Sequence, residues 1–428
     1  MRVCALGLLT GVAVGVATAV GGQFALSKTD RDLHRQMLTD IRRDVEQNYY
    51  DPKLRGIDLA ANVEAVKAKV DAASSTAEAI DAITGLLFDF KDSHTSFYPP
   101  PRATRTRYGW SMAAVGEPVL VVGVDPSSDA AKQGLAPGDL VVALNRFQPT
   151  RANLWQIAHY YGIVRPQAQQ HVVVRKPDGT ERALDIRSRT ENRPVVQVTD
   201  AIEEAFDDIV ADTDADCLVA PGIVVWQMTE FRFADAMRPF IAKARKAGSL
   251  VLDLRGNSGG LVDGLKGLVA MVFDKDILVQ RRLGRKGEVL DTAKPKGTPF
   301  LGKLIVLIDS RSASAAEMLA RIVQIEKRGT VIGDRSGGKV MTSLLLVHSF
   351  GVGNVTRYAT SVTVGDVRMS DGGSLEGTGV TPDELLLPTQ ADLAAFRDPV
   401  LARAVVLAGG SMSPEEAGKL FPRRPVRR

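Results

Sequence analysis

The sequence predicts a multi-domain α/β protein: a helical N-terminal segment, a β-rich middle unit, and a larger core of strands alternating with helices. Three observations carry that prediction. Apolar residues recur at helical spacing between residue 28 and about 90, with Leu33, Met37, Leu38, Ile41 and Val45 on one face. From 108 to about 189, short valine-rich runs are separated by Gly-Leu and Asp-Gly turns. From about 191, apolar strands such as GIVVWQMTEF and SLVLDL lead into helical repeats, the alternation of a central sheet covered by helices. Over 428 residues the boundaries fall at 1–26, 27–107, 108–190, 191–410 and 411–428.

Residues 1–26 open with one Arg, run apolar through Val, Leu, Ala and Gly, and offer Ala17-Thr18-Ala19 as a small-residue cleavage site. This reads as a secretory signal peptide, with an uncleaved N-terminal membrane anchor as the alternative. Either way the body of the chain is expected outside the cytoplasm, periplasmic or secreted. Cys4 lies in this leader without a lipobox. Cys217 is then the one cysteine of the mature chain, so no intrachain disulfide is expected and Cys217 reads as a small core residue. Hydrophobic content of 45% and charged content of 24% are those of a globular protein. A net charge of +4, partly from the last arginines, and the lack of a basic stripe interleaved with aromatics argue against nucleic acid.

The helical segment 27–107 has a helix start at Ser75 or Thr76 with Glu78, and ends at KDSHTSFYPPP, where three prolines stop regular structure. His94 in this run reads first as a cap or a satisfied core histidine. No histidine or cysteine stands at metal-ligand spacing, so neither metal nor organic cofactor is expected.

In 108–190, PVLVVGVDPSSDAAKQGLAPGDLVVALN reads as strand, turn, short helix, Gly-Leu turn and strand. LWQIAHYYG is a helix, and HVVVRKPDGTERALDI a hairpin about Asp178-Gly179. The unit resembles a PDZ domain, with Gly134, Leu135, Gly138, Asp139 and Asn145 at matching places. The resemblance implies that an extended peptide adds as a strand, its C-terminal carboxylate taken by amides of Tyr108, Gly109, Trp110, Ser111 and Met112. Ser111 stands where that loop usually has a glycine. A lid or spacer without ligand binding is the alternative.

In the core, SLVLDLRGNSGGLVDGLKGLVAMVF is strand, glycine turn and helix. Gly259 and Gly260 at a helix start suit close approach of backbone to a ligand; Asp253 and Arg255 also suit a buried ion pair. Lys303 to Lys339 reads KLIVLIDSRSASAAEMLARIVQIEKRGTVIGDRSGGK: a buried strand, a small-residue turn, a helix, a short strand and a glycine-rich loop. This puts Ser314 at a helix N-terminus, where free N–H groups and the dipole favour an oxyanion. A desolvated Lys339 could lose its charge and act as a base. Two other readings stay open on the residues alone: Ser314-x-x-Glu317 fits a capping box, and Gly333 to Lys339 matches most of a phosphate-binding loop. Val340 follows that lysine where Ser or Thr belongs, and a strand follows where a helix belongs. SLLLVHSF and NVTRYATSVTV read as a hairpin, DLAAFRDPVLARAVVLA as one closing helix, and PEEAGKLFPRRPVRR as a disordered tail.

Four stretches, SASAAEMLARIV with GDRSGGK, DSHTSF, DLRGNSGG and GTGVTPD, together with the PDZ-like unit, resemble the C-terminal-processing (tail-specific) serine peptidases, which share a catalytic core with tricorn protease. The resemblance implies a ClpP/crotonase-like core that cleaves polypeptides, recognised by their C-termini or as unfolded chains. It makes Ser314 the nucleophile, Lys339, 25 residues later, the base, and amides of the Gly259-Gly260 turn and Ala315 the oxyanion hole. In tricorn-like members a Ser-His pair supplies the base, and Ser93-His94 stands in that place. The glutamine usually four residues after the lysine is here Ser343. That departure keeps open a non-catalytic PDZ adaptor on a degenerate core.

Overall fold

The computed structural model describes residues 26–192, 215–351 and 355–421; the segment up to residue 25, where the leader is expected, and the last seven residues lie outside them. The N-terminal segment forms α1 (Lys28–Asn48), α2 (Leu59–Ala72) and α3 (Thr76–Phe88). Met37, Leu38, Ile41 and Val45 of α1 are buried, as their spacing predicts, and Ser75 caps α3 by accepting from the Glu78 N–H. After α3 come β1 (Ser96–Tyr98) and β2 (Thr104–Arg107).

The β-rich unit comprises β3 (Trp110–Ala114), β4 (Val119–Val124), α4 (Asp129–Lys132), β5 (Leu140–Leu144), α5 (Leu154–His159), β6 (Gln169–Arg175) and β7 (Glu181–Arg187). Its sheet runs β3-β4-β5-β6-β7, all antiparallel, so β3 is an edge strand. β6 and β7 turn about Asp178-Gly179, where Gly179 takes the positive φ such a turn requires. β8 (Arg189–Asn192) returns to pair with β2.

The larger core follows: β9 (Ala215–Ala220), β10 (Ile223–Gln227), α6 (Ala234–Ala247), β11 (Ser249–Asp253), α7 (Val262–Val272), β12 (Ile277–Gly284), β13 (Gly287–Ala293), β14 (Lys303–Ile308), α8 (Ala315–Ile325), β15 (Thr330–Gly333), β16 (Met341–Phe350), β17 (Thr356–Arg368), β18 (Glu384–Leu385), α9 (Gln390–Ala395), α10 (Pro399–Ala408) and α11 (Pro414–Ala417). The central sheet runs β18-β15-β14-β11-β10-β9, parallel except for β9. Helices α6, α7 and α8 cover one face and α10 with α11 the other, which is why β11 and β14 read as continuous apolar runs. A second, antiparallel sheet joins β1, β17, β12 and β13, with β16 also paired to β17. Tyr358 on β17 donates to Asp40 of α1 at 2.6 Å, and His348 on β16 bonds Asp44, fastening the helical segment to this sheet.

Three expectations are corrected. The closing helix is two helices: Pro399 disfavours helical backbone at Asp398, which instead caps α10 by accepting from the Leu401 N–H. The start of the tail is ordered, because Ser413 caps α11 and Ala417, Leu420 and Phe421 pack on the α10 face of the sheet. Cys217 is half-buried on the edge strand β9, beside a Leu218 that is largely exposed. No helix among the described residues is long and apolar enough to cross a membrane.

Candidate active site

β14 delivers the chain to a tight turn, and Ser314 is the residue from which α8 starts. Its backbone lies at φ 54°, ψ −118°, a conformation that a non-glycine residue holds only when its surroundings enforce it. The enforcement is visible. The Ser314 N–H donates to the Lys339 carbonyl at 3.0 Å and to Glu317 Oε2 at 3.1 Å. Ala315, the first residue of α8, is buried directly behind the serine.

Opposite Ser314 stands the glycine turn. A Cβ on Gly259 would lie 2.6 Å from the Ser314 Cβ and 3.1 Å from its Oγ, so only glycine lets the turn come this close. The Gly259 N–H is taken by the Asn257 side chain at 2.8 Å, which corrects the expectation that this amide is available to an oxyanion. Asn257 is fully buried and also donates to the Met228 carbonyl, so it fixes the turn from beneath. Gly260 lies against Phe231, held by the Phe231 N–H to the Gly259 carbonyl and the Leu261 N–H to the Phe231 carbonyl. Asp253 and Arg255 do form the expected ion pair, and Arg255 extends it to Asp398 through a second two-pronged contact.

Lys339 follows β15 in the loop Ser336-Gly337-Gly338. Enclosure lowers its pKa by disfavouring the ammonium, while the carboxylates of Glu317 and Glu376 pull the other way. Glu317, read from sequence as half of a capping box, has a wider role. Its buried carboxylate accepts from the Ser314, Gly338 and Lys339 N–H groups at 3.1, 2.7 and 2.8 Å, and from the Ser336 hydroxyl at 2.6 Å. It therefore ties the serine's helix to the lysine's loop. Burial pushes its pKa up to about 7, against those hydrogen bonds.

His94 shares this cavity. Its Nδ1 lies 2.7 Å from the Ser93 hydroxyl, which also contacts Glu376 at 3.1 Å. Glu376 further accepts from the Ser93 and Val340 N–H groups, and burial raises its pKa. Desolvation, with the Lys339 charge in support, brings the His94 pKa down to about 4, leaving the imidazole neutral. Sequence reasoning assigned no role to Asn257, which lies within the DLRGNSGG stretch, or to Glu376, which immediately precedes GTGVTPD; only the fold shows what each touches. Ser343 lines the same cavity from β16 and is exposed, opposite Thr363 in the strand register.

Ser93, His94, Ser314, Lys339 and Ser343 border one cavity of about 550 Å³, which continues to Tyr108, Trp110, Ser111 and Met112 on the edge of the β-rich unit. Helix α5 supplies the facing wall with Leu154, Trp155 and Ala158. Tyr108 is held by the Gln167 N–H at 2.7 Å, and the Trp110 ring N–H donates to Gln170. Gly109 takes a positive φ with Ser128 against it, too close for any Cβ.

Residues 222–386 match the Peptidase family S41 model, and residues 30–87 match the tricorn protease C1 domain. This is an S41 peptidase core. The S41 match takes in the glycine turn, Ser314, Lys339 and Glu376; His94 lies outside both matched spans. The chain is 25% identical over 346 residues to the chloroplastic C-terminal processing peptidase of Tetradesmus obliquus, covering 73% of this chain and 68% of that protein. It is 27% identical over 364 residues to a carboxy-terminal-processing protease of Bartonella bacilliformis, covering 81% and 78%. A probable CtpA-like serine protease of Staphylococcus epidermidis is 24% identical, with 71% of this chain spanning 59% of that one. Among solved structures, mature CPAF shares the fold at TM-score 0.63 and 13% identity, covering 86% of this chain and 95% of its own. The photosystem II D1 C-terminal processing protease does so at TM-score 0.53 and 21% identity, covering 83% and 93%. The S41 match and these relatives, which are named as C-terminal-processing proteases, make the chain a serine-type peptidase.

Proposed function

We propose that the chain is a serine endopeptidase of extended or unfolded polypeptides, with Ser314 as nucleophile and Lys339 as base, acting outside the cytoplasm as its apolar leader suggests. The observation that carries the dyad is the tether between the two residues: the Ser314 N–H bonds the Lys339 carbonyl, and Glu317 binds both residues' N–H groups. The Ser314 hydroxyl attacks the scissile carbonyl, and neutral Lys339 takes its proton. The N–H groups of Ala315 and Gly260 receive the oxyanion, since that of Gly259 is engaged. The intermediate collapses by breaking the C–N bond, the departing amine takes the proton from Lys339, and water then hydrolyses the acyl-enzyme to release the acid and free Ser314. The open edge of β3 and the wall of α5 form a PDZ-like groove, in which an arriving peptide would add as a strand leading toward Ser314.

A specific observation favours a second base. His94 is neutral and oriented through Ser93 to Glu376, the arrangement a general base needs. Orientation thus supports His94, and basicity supports Lys339, because a base near pKa 4 is weak at neutral pH.

Cleavage of unfolded casein by the wild type, Ser314→Ala, Lys339→Ala and His94→Ala tests both. Ser314→Ala should lower activity by on the order of 10³-fold or more. Loss in Lys339→Ala with retention in His94→Ala supports the dyad, and the reverse supports the histidine. A Ser314→Ala protein that still cleaves would sink the proposal.

A further inference from the structure

The charge of the catalytic cavity is one-sided. Arg102, Arg105, Arg107, Arg311 and Lys339 line it, and among the described residues no Asp or Glu does, the remainder being mainly apolar, hydroxyl and aromatic. The nearest carboxylates lie behind this lining and are already engaged. Glu317 and Glu376 accept from backbone N–H and serine hydroxyl donors. Asp309 accepts from the N–H groups of Gly256, Arg311 and Ser312.

Of the five cations, Arg311 is set apart by its placement. It stands three residues before Ser314 and covers the start of the glycine turn, its guanidinium carbon 3.7 Å from where a Cβ on Gly256 would lie. Asp309 grips its Nε and Nη2 at 3.0 and 2.8 Å. That grip leaves the Nη1 edge for a ligand, and the arginine side chain is 37% exposed against 18% for its partner. Arg102 is spent on the carbonyls of Ile163 and Val164, Arg105 and Arg107 stand on β2 against β8 and are already engaged, Arg107 with Glu191, and Lys339 belongs to the catalytic machinery. A guanidinium already immobilised by one carboxylate loses little freedom on binding a second, and its fork suits the planar geometry of that group.

We infer that this cavity selects apolar peptide segments bearing a carboxylate close to the scissile bond, and that Arg311 is the residue that reads it. The inference rests on the peptidase reading. The carboxylate has two chemical sources, an Asp or Glu side chain or the free C-terminus of the substrate.

The test starts from a peptide that wild-type protein cuts, found by mass spectrometry of a casein digest. Matched versions carry Glu or Gln at each position flanking the cut, and a free acid or an amide at a C-terminus placed near it. The quantity read is the ratio of kcat/KM within each pair, which cancels any general loss of activity in a variant. Wild type should favour the carboxylate on the order of tenfold in one pair, and less at high salt. Arg311→Gln should bring that ratio close to one, and Arg311→Lys should restore part of it. The pair that responds identifies the source. Equal cleavage of all pairs by wild type, or a preference undiminished in Arg311→Gln, overturns the inference while leaving the peptidase reading intact. No cleavage of casein or of any peptide overturns the peptidase reading, and the inference with it.

Discussion

At the scale of single residues the site is governed by close approach. Ser314 holds a positive φ because its N–H is bonded from two sides, and Gly259 presses on it where a methyl group could not fit. Gly259→Ala should therefore lower kcat/KM by on the order of 10²-fold, the scale of a disrupted oxyanion site, with the circular dichroism spectrum unchanged. A spectrum lost along with activity would instead show that the turn supports the fold. The base can be read from pH. Lys339 must be deprotonated to act, so with the dyad kcat/KM climbs as pH rises through a lysine pKa lowered by desolvation. His94, with a pKa of about 4, is already neutral above pH 5, so a histidine base gives a flat profile from there through neutrality.

Between elements, the decisive fastening is Glu317. From the first turn of α8 it binds the loop carrying Lys339, so helix and loop move as one. Its folded pKa, raised to about 7 from an ordinary glutamate's 4.5, means that the native state binds the proton more tightly than the unfolded chain. Its stabilising contribution is full below about pH 4.5 and declines as pH rises to 7. Glu317→Gln presents an amide N–H to a site built from donors, and should destabilise the core by about 2 kcal/mol. Urea midpoints should show the gap between wild type and variant narrowing from pH 5 to pH 8; a constant gap would mean that Glu317 does not titrate in this range. Arg255 plays a comparable role lower in the sheet, joining the end of β11 to the cap of α10 through Asp253 and Asp398.

Across the whole molecule, the β-rich unit is clamped to the peptidase core beside the loop that carries Lys339. Arg151 pairs with Asp334 and donates to the Gly116 and Arg335 carbonyls. The Gly116 N–H donates to the same Asp334, and the Ser310 hydroxyl reaches the Ala114 carbonyl. Asp334 and Arg335 lead directly into Ser336 and Lys339, so the placement of the unit bears on the loop that holds Lys339. Removing one partner of a buried pair is costly, because the other stays behind uncompensated. Arg151→Ala should raise hydrogen exchange at residues 114–118 and 334–339 and lower stability by about 3 kcal/mol. Exchange unchanged at both segments would show that the clamp does not hold the unit.

Much of this protein is determined locally and was therefore legible in the sequence. Helical spacing placed α1 to α3, branched apolar runs placed β11 and β14, and turn chemistry placed the β6–β7 hairpin. The position of Ser314 at a helix start follows from strand, small-residue turn and helix in succession, an arrangement of neighbours in the chain. What the tertiary structure decided are contacts across long separations, which periodicity does not encode. Ser93 reaches Glu376 over 283 positions, and Arg255 reaches Asp398 over 143. A carboxylate's pKa, and whether a glycine's N–H is open to substrate or spent on an asparagine beneath it, depend on burial and partners. Those exist only once the sheets have closed around the site.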